Sequence, residues 1–230
     1  MFRLAPLLLL VGAAAPADER RFMVSGFDQL RVEGPFEVEV VTGPPSAVSH
    51  GDARTLDQVT VRVEGSTMVV TTGAMAWESR SSVNRTAPRV TVSVPSLRAV
   101  RITGAGWVRV GQMRGTRVDL TLNGTGSLVV GSIKTDDMAV NLTGSGNMTL
   151  AGTSARGRLR NTGSGSIEAT GLTVADVNLF SQSSGTLSIT GRYTARAISL
   201  GTGGISIAGR PECKITGPGP VACSGTIRQN

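Results

Sequence analysis

The sequence predicts an all-β fold, a parallel β-helix (solenoid) with coils of about 20 residues. A short phrase, Gly-x-Gly or a close variant followed by a strand, recurs six times between residues 104 and 207. The phrases begin at Gly104, Gly124, Gly144, Gly163, Ser183 and Gly201, so the intervals between them are nearly constant. A fixed period of this length is typical of a solenoid, in which each repeat buries its apolar face against its neighbours.

Alternation within each phrase and the overall composition support the same fold. Because successive side chains of a strand point to opposite faces, an apolar–polar–apolar phrase places two columns in the core. Thirty glycines, 3% aromatic residues and 17% charged residues suit a stack of coils with many corners. The two predicted core columns are Val108, Leu128, Met148, Ile167, Leu187 and Ile205, and Val110, Val130, Leu150, Ala169, Ile189 and Ile207.

Residues 1–17 are predicted to be a signal peptide. Arg3 gives a positive start, residues 4–15 are apolar, and Ala15-Pro16-Ala17 has the small-x-small form of a cleavage site. Its removal takes away one arginine, so the formal charge of +7 becomes +6. No later stretch has the length of a transmembrane helix. We therefore expect an exported protein that is periplasmic, outer-membrane-associated or extracellular.

Residues 18–230 are predicted to form one β-helix domain. Residues 22–95 contain less regular N-terminal coils, with a loop near 74–88 that is rich in serine and asparagine. Residues 96–210 contain the regular Gly-x-Gly coils, and residues 211–230 form a C-terminal cap.

Cys213 and Cys223 are predicted to form a disulfide in the cap, since an exported protein meets an oxidising compartment. The alternative is a pair of free, buried thiols. The enclosed loop contains Pro218 and Pro220, which cannot donate ladder hydrogen bonds, so it would protect the end of the solenoid from pairing with another chain.

A column of alternating charge is predicted along the side of the coils. Its first four members lie at the same distance before successive corners, and the fifth follows the fourth by one period of the repeat. Opposite charges in adjacent strands are about 5 Å apart and stabilise a sheet. The alternative for Asp137, which has a neighbouring carboxylate in Asp136, is a catalytic role. The predicted ladder is Arg117, Asp137, Arg156, Asp176 and Arg196.

The sequence offers no catalytic, cofactor-binding or metal-binding residues. His50 is the only histidine, and adjacency to Ser49 does not make a nucleophilic triad. One histidine and two paired cysteines do not supply a zinc site. Nucleic-acid binding is not expected, since the basic residues form no run and no helix is available to enter a groove.

The sequence resembles the family of "putative auto-transporter adhesin" head domains known as the GIN domain. The resemblance rests on residues 24–32, on residues 36–40, on the pattern from Leu97 to Gly106, and on the glycine repeats that follow, so it covers roughly residues 22–210. It implies a right-handed single-stranded parallel β-helix in a cell-surface or periplasmic setting, and it carries no catalytic residues.

The function predicted is an exported, non-enzymatic adhesin or envelope interaction module. Its net positive charge suits an acidic polysaccharide, lipopolysaccharide or surface protein as partner. A homo-oligomer is a further possible assembly. Trp107, with Arg101, Arg109 and Arg114 in the same early coil, is the candidate binding surface; alternatively, Trp107 covers the base of the 74–88 loop. The alternative functions are a polysaccharide lyase or hydrolase and a purely structural envelope protein.

Overall fold

A computed structural model of the chain describes residues 18–51, 56–73 and 87–228. Strands account for 75% of these residues and form a β-solenoid of about six turns with ~20-residue coils, so the predicted fold class is confirmed. The predicted signal peptide at 1–17 and residues 74–86 of the predicted loop lie outside the described residues.

The N-terminal part of the solenoid is built from short strands. Its eight strands are β1 (Asp18–Phe22), β2 (Gln29–Glu33), β3 (Glu37–Thr42), β4 (Ser46–Gly51), β5 (Val59–Glu64), β6 (Thr67–Thr72), β7 (Arg89–Val94) and β8 (Ala99–Gly104).

The regular coils follow as long strands that bend around the core, and the C-terminal coils are shorter. They are β9 (Trp107–Gly124), β10 (Ser127–Gly144), β11 (Asn147–Gly163), β12 (Ser166–Ser183), β13 (Leu187–Ser199), β14 (Ile205–Gly209), β15 (Glu212–Thr216), β16 (Val221–Cys223) and β17 (Thr226–Arg228).

The predicted core columns are stacked in parallel register. Leu128 lies between Val108 and Met148, and the column continues through Ile167, Leu187 and Ile205. The most exposed member of the column is only 2% accessible. The alternation read from the sequence therefore identifies the inward-facing side chains.

Each regular coil has three segments, because the buried positions switch twice between even and odd residue numbers along it. In β10 the buried residues are at 128 and 130, then at 133 and 135, and then at 138, 140 and 142. We call the outward surfaces of residues 127–130, 132–135 and 137–143, with their equivalents in other coils, the first, second and third faces.

Stacked glycines form the corner between the third and first faces. Gly144 has φ of 115°, a backbone conformation that only glycine adopts without strain. A Cβ atom added there would lie 2.5 Å from the carbonyl oxygen of Gly124 in the preceding coil. That carbonyl accepts hydrogen bonds from the backbone N–H groups of Ser145 and Gly146, at 3.0 and 2.9 Å. Small residues therefore allow successive corners to touch.

The N-terminal coils do not stack in chain order. β2 lies between β6 and β8, and β3 lies between β7 and β9, so the coil containing β6 and β7 is the outer one. Antiparallel strands then cover this end, because β4 pairs with β7, β1 pairs with β4, and β5 pairs with β6. The open start of the parallel stack is thus covered by the chain itself.

The segment predicted as a C-terminal cap continues the parallel ladders. β15 pairs with β13 and β17, while β14 pairs with β16. The last strands, β16 and β17, have three residues each. Short edge strands of this kind limit pairing with another chain.

Candidate functional site

Four members of the predicted charge ladder lie in one column on the third face. The register places Asp137 between Arg117 and Arg156, and Asp176 follows Arg156 in the next coil. The column therefore alternates in sign over four adjacent strands.

The side chains of this column form one direct ion pair within the ladder. Arg156 donates two hydrogen bonds to the carboxylate of Asp137, both 2.7 Å long. Arg117 instead donates to Asp119 of its own strand, at 2.8 and 2.9 Å. Asp176 accepts a hydrogen bond of 2.6 Å from the Thr194 hydroxyl. Register alone thus does not decide which charges pair.

The ionisation of the paired groups follows from these contacts. The hydrogen bonds from Arg156 lower the pKa of Asp137 below its usual value, and the charge of the same arginine adds to the effect. The hydrogen bonds to Asp119 raise the pKa of Arg117. Both pairs are exposed, so they hold charges in place on the surface and contribute little to stability.

The assignment of Arg196 to the ladder is wrong. Asp176 faces Thr194, whereas Arg196 lies in register with Asn178 and Lys214. The reason is a shorter coil, since the interval from Ser183 to Gly201 is two residues less than the interval before it, and the register shifts between β12 and β13. Counting back from Gly201, as for the other coils, would have found Thr194.

Arg196 belongs to a second outward column, which is basic. In register, this column runs through Arg158, Asn178, Arg196 and Lys214, and we call it the basic column. All four residues are exposed. Sequence reasoning missed the column because its members do not follow one fixed period: the first interval is two residues longer than each of the other two.

Beside the basic column, on the same face, lies a column that begins with Arg160 and continues with two apolar residues. We call it the apolar column. Arg160, Phe180 and Ile198 are in register in three successive coils. The guanidinium of Arg160 stacks over the Phe180 ring, 4.3 Å from its centroid, and Ile198 is 42% exposed. The two columns line an open depression of about 410 Å³.

The three arginines of this depression form no ion pair with any carboxylate among the described residues. Among the described residues, no carboxylate lies within 4.0 Å of Arg158, Arg160 or Arg196. Cations next to exposed apolar surface can bind an anionic ligand that also has an apolar face. We call the group of Arg158, Arg160, Phe180, Arg196 and Ile198 the third-face site.

The structure separates the four residues predicted as a binding surface. Trp107 and Arg109 are together on the first face, with the guanidinium 5.1 Å from the ring centroid. Arg101 is on the third face, in register with Arg31 and Thr121. Arg114 is on the second face, in register with Lys134. Corners interrupt the coil between these positions, so nearness in sequence did not place the side chains on one surface.

The predicted disulfide is confirmed. Cys213 and Cys223 are bonded, with their Cα atoms 6.7 Å apart. Cys213 follows Ala195 in register, and Cys223 follows Ile207. Since these two columns line different segments of the coil, the bond joins the third-face and first-face strands at the C-terminal end of the core.

The structure separates His50 from the Ser49 side chain and pairs Asp137 with Arg156. His50 Nδ1 lies 3.6 Å from a carboxylate oxygen of Glu19, whereas the adjacent Ser49 is fully buried on the other face of β4. Asp137 is held by Arg156. Within residues 18–51, 56–73 and 87–228, no three histidine, cysteine or carboxylate side chains are grouped so that they could bind a metal ion.

The chain belongs to the family described as "Putative auto-transporter adhesin, head GIN domain", whose model matches residues 26–211. The family resemblance seen in the sequence is thereby confirmed. No curated protein matches the sequence at a significant level. In the part of the chain that the structure describes, no helix is long and apolar enough to cross a membrane.

Solved structures of several bacterial proteins have similar folds. A "putative adhesin" from Bacteroides fragilis has a TM-score of 0.81 at 21% identity, covering 93% of this chain and 97% of its own. A "putative lipid binding protein" from Parabacteroides distasonis has a TM-score of 0.65 at 20% identity, with coverages of 93% and 96%. A "putative adhesin" from Parabacteroides merdae has a TM-score of 0.63 at 16% identity, with coverages of 93% and 95%. At these identities the likeness establishes the fold alone.

Proposed function

We propose that this protein is an exported, non-enzymatic envelope interaction module that binds an anionic polymer of a cell surface through its third face. The observation that carries the proposal is the third-face site. There, three arginines without carboxylate partners among the described residues flank half-buried Phe180 and exposed Ile198. This arrangement can attract a negative charge and also cover an apolar ligand surface.

The membership of the chain in an adhesin-head family supports a surface role. The sequence of residues 1–17 supports export, and the mature charge of +6 favours an acidic partner. One similar fold is named for lipid binding, which makes lipopolysaccharide, an anionic polymer attached to a lipid, a second form of the same anionic ligand class.

The stacked pair of Trp107 and Arg109 on the first face is an alternative location for the same function. An aromatic ring beside a guanidinium can also stack on a sugar. Glu37 and Glu39 lie in register with these two residues, however, so carboxylates flank this pair. The third-face site therefore fits an anionic ligand better.

Binding of the mature protein to immobilised acidic and neutral polysaccharides tests the proposal. We expect retention on acidic polymers, reduced by salt, and at least about tenfold weaker binding after Arg158→Glu together with Arg196→Glu. Arg109→Glu together with Arg114→Glu is the matched control, because it makes the same change in net charge on the other two faces.

Loss of binding in the control pair alone would place the site at Trp107 and Arg109. Equal losses in both pairs would indicate non-specific charge attraction. Absence of binding to every acidic polymer would contradict the proposed function and favour a purely structural role.

A further inference from the structure

We infer that the third face selects a linear acidic polysaccharide that carries one negative charge per two sugars and lies along the solenoid axis. This inference rests on the proposed function and names the ligand class of the same site. It follows from how charges are distributed over successive strands of the third face, each of which we call a rung.

The rungs that line the depression alternate in sign. Residues 137–141 present the carboxylate of Asp137, whereas the next rung presents Arg156, Arg158 and Arg160. Residues 176–180 present Asp176, and the following rung presents Arg196. Asp137 and Asp176 are thus on alternate rungs, and the arginines occupy the rungs between them.

This alternation fixes the preferred spacing of negative charge in a ligand. Adjacent rungs are about 4.8 Å apart, so Arg158 and Arg196 are separated by about 9.6 Å along the axis. A pyranose unit in an extended polysaccharide advances the chain by a distance similar to one rung. An anionic group on every second sugar can therefore meet Arg158 and Arg196 in turn.

The intervening rung disfavours a further negative charge. Between the two arginines the basic column has Asn178, and Asp176 lies two residues away on the same outward surface of the strand. Asp176 would repel a carboxylate placed there, whereas the Asn178 amide can hydrogen-bond to a hydroxyl or acetamido group. The neutral sugar of an alternating polymer suits this position.

The apolar column supports the same orientation. Phe180 shares the rung of Asn178, and Ile198 shares the rung of Arg196, so apolar surface continues parallel to the basic column. The apolar face of a sugar ring can pack on Ile198 and on the part of Phe180 that Arg160 leaves uncovered. A polymer that followed a single coil would instead stay on one rung and would leave the third face at the next corner.

The test compares three octasaccharides of equal length on the mature protein. The first is a hyaluronan octasaccharide, with one carboxylate per disaccharide. The second is an oligogalacturonate with one carboxylate per sugar, and the third is a neutral maltooctaose. We expect the alternating probe to bind about tenfold more tightly than the fully charged one, despite its lower charge, and the neutral probe not to bind.

Two substitutions test the cause of this preference. Asn178→Arg fills the gap in the basic column, and Asp176→Asn removes the repulsion; each should increase affinity for the oligogalacturonate about tenfold and hyaluronan affinity by much less, since no hyaluronan carboxylate faces this rung. Glu168→Gln, which removes one negative charge from the first face, is the control and should leave both affinities unchanged. Thermal melting of each variant shows whether the fold is retained.

The outcomes separate this inference from the proposed function. Equal or tighter binding of the oligogalacturonate by the unmodified protein, or no gain in Asn178→Arg, would overturn the alternating-charge inference while leaving an acidic-polymer module in place. Failure of both acidic probes to bind would overturn this inference, and would overturn the proposed function as well if the protein also binds no immobilised acidic polymer.

Discussion

At the scale of single residues, the core contains polar groups that differ in how well they are hydrogen-bonded. Asn161, Ser181 and Ser199 occupy one inner column of the third-face strands and are fully buried. The Ser181 and Ser199 hydroxyls have no hydrogen-bond partner among the described residues. Ser183, at the following corner, donates to the Gly165 carbonyl at 3.2 Å and accepts from the Gly185 N–H at 2.9 Å.

Ser181→Ala and Ser183→Ala should therefore have opposite effects on stability. Removing the unpaired Ser181 hydroxyl should leave the free energy of unfolding unchanged or raise it by up to about 1 kcal/mol. Removing the Ser183 hydroxyl should lower it by about 1–2 kcal/mol, since two hydrogen bonds are lost at a corner. Denaturant unfolding of both variants measures the difference. A larger loss for Ser181→Ala would show that its hydroxyl is bonded after all.

The exposed pair of Asp137 and Arg156 makes a weaker, salt-dependent contribution. Asp137→Asn should lower the melting temperature slightly, and Asp137→Arg should lower it further, because the new cation faces Arg117 and Arg156. Both effects should shrink as salt is added. Equal melting of all three proteins at low salt would show that the ladder has no energetic role, and a lost activity with unchanged melting would favour a catalytic Asp137.

The pairing of Asp137 with Arg156 also makes the stability of the protein depend on pH. The folded-state pKa of Asp137 is lowered by Arg156, so its contribution is present above the unfolded-state pKa and is lost as pH falls through the folded-state pKa. Acid should therefore remove the melting difference between the unmodified protein and Asp137→Asn. A difference that grows in acid would contradict this assignment.

At the scale of elements, the corners depend on glycine where coils touch. Gly144→Ala should lower the free energy of unfolding by about 2 kcal/mol or more, because the position combines φ of 115° with a backbone contact. Gly204→Ala is the control, since a Cβ atom there would meet no atom within 4 Å; it should change stability by less than about 0.5 kcal/mol. Similar losses in the two variants would mean that corner stacking is not the constraint.

The sequence was informative about elements where the repeat is regular. The alternation placed Leu128 and Met148 in the core because side-chain direction is a local property of a strand. The assumption of a constant period failed for Arg196 because one coil is two residues shorter, which shifts the register of the outward residues that follow. The third-face site was missed for a related reason: its members come from three coils and share no motif.

The order of the N-terminal coils was beyond a local pattern as well. Each of β2, β3, β6 and β7 can be recognised as a strand, but all have similar apolar inner faces. Which coil lies outermost depends on pairings between strands that are distant in sequence, such as β2 with β8. The regular period begins only after these coils and therefore carries no information about their order.

At the scale of the whole molecule, the disulfide should stabilise one end of the solenoid rather than all of it. Closing a loop of ten residues should raise the free energy of unfolding by about 3 kcal/mol, because the bond lowers the entropy of the unfolded chain. Because each coil contacts only its neighbours, reduction should increase amide hydrogen exchange mainly in residues 205–228 and leave 107–163 protected. Uniform loss of protection along the chain would show that the C-terminal coils are needed for the entire fold.

Binding at the third face is tested most directly by arginine side-chain NMR of residues 18–230, titrated with a hyaluronan octasaccharide. The Nε–Hε signals of Arg158 and Arg196 should shift together and saturate, because these groups are expected to contact the carboxylates. Signals of Arg109 and Arg114 should remain in place. Shifts confined to Arg109 or Arg114, or no shift at a saturating concentration of the octasaccharide, would contradict the assignment of the binding site to the third face.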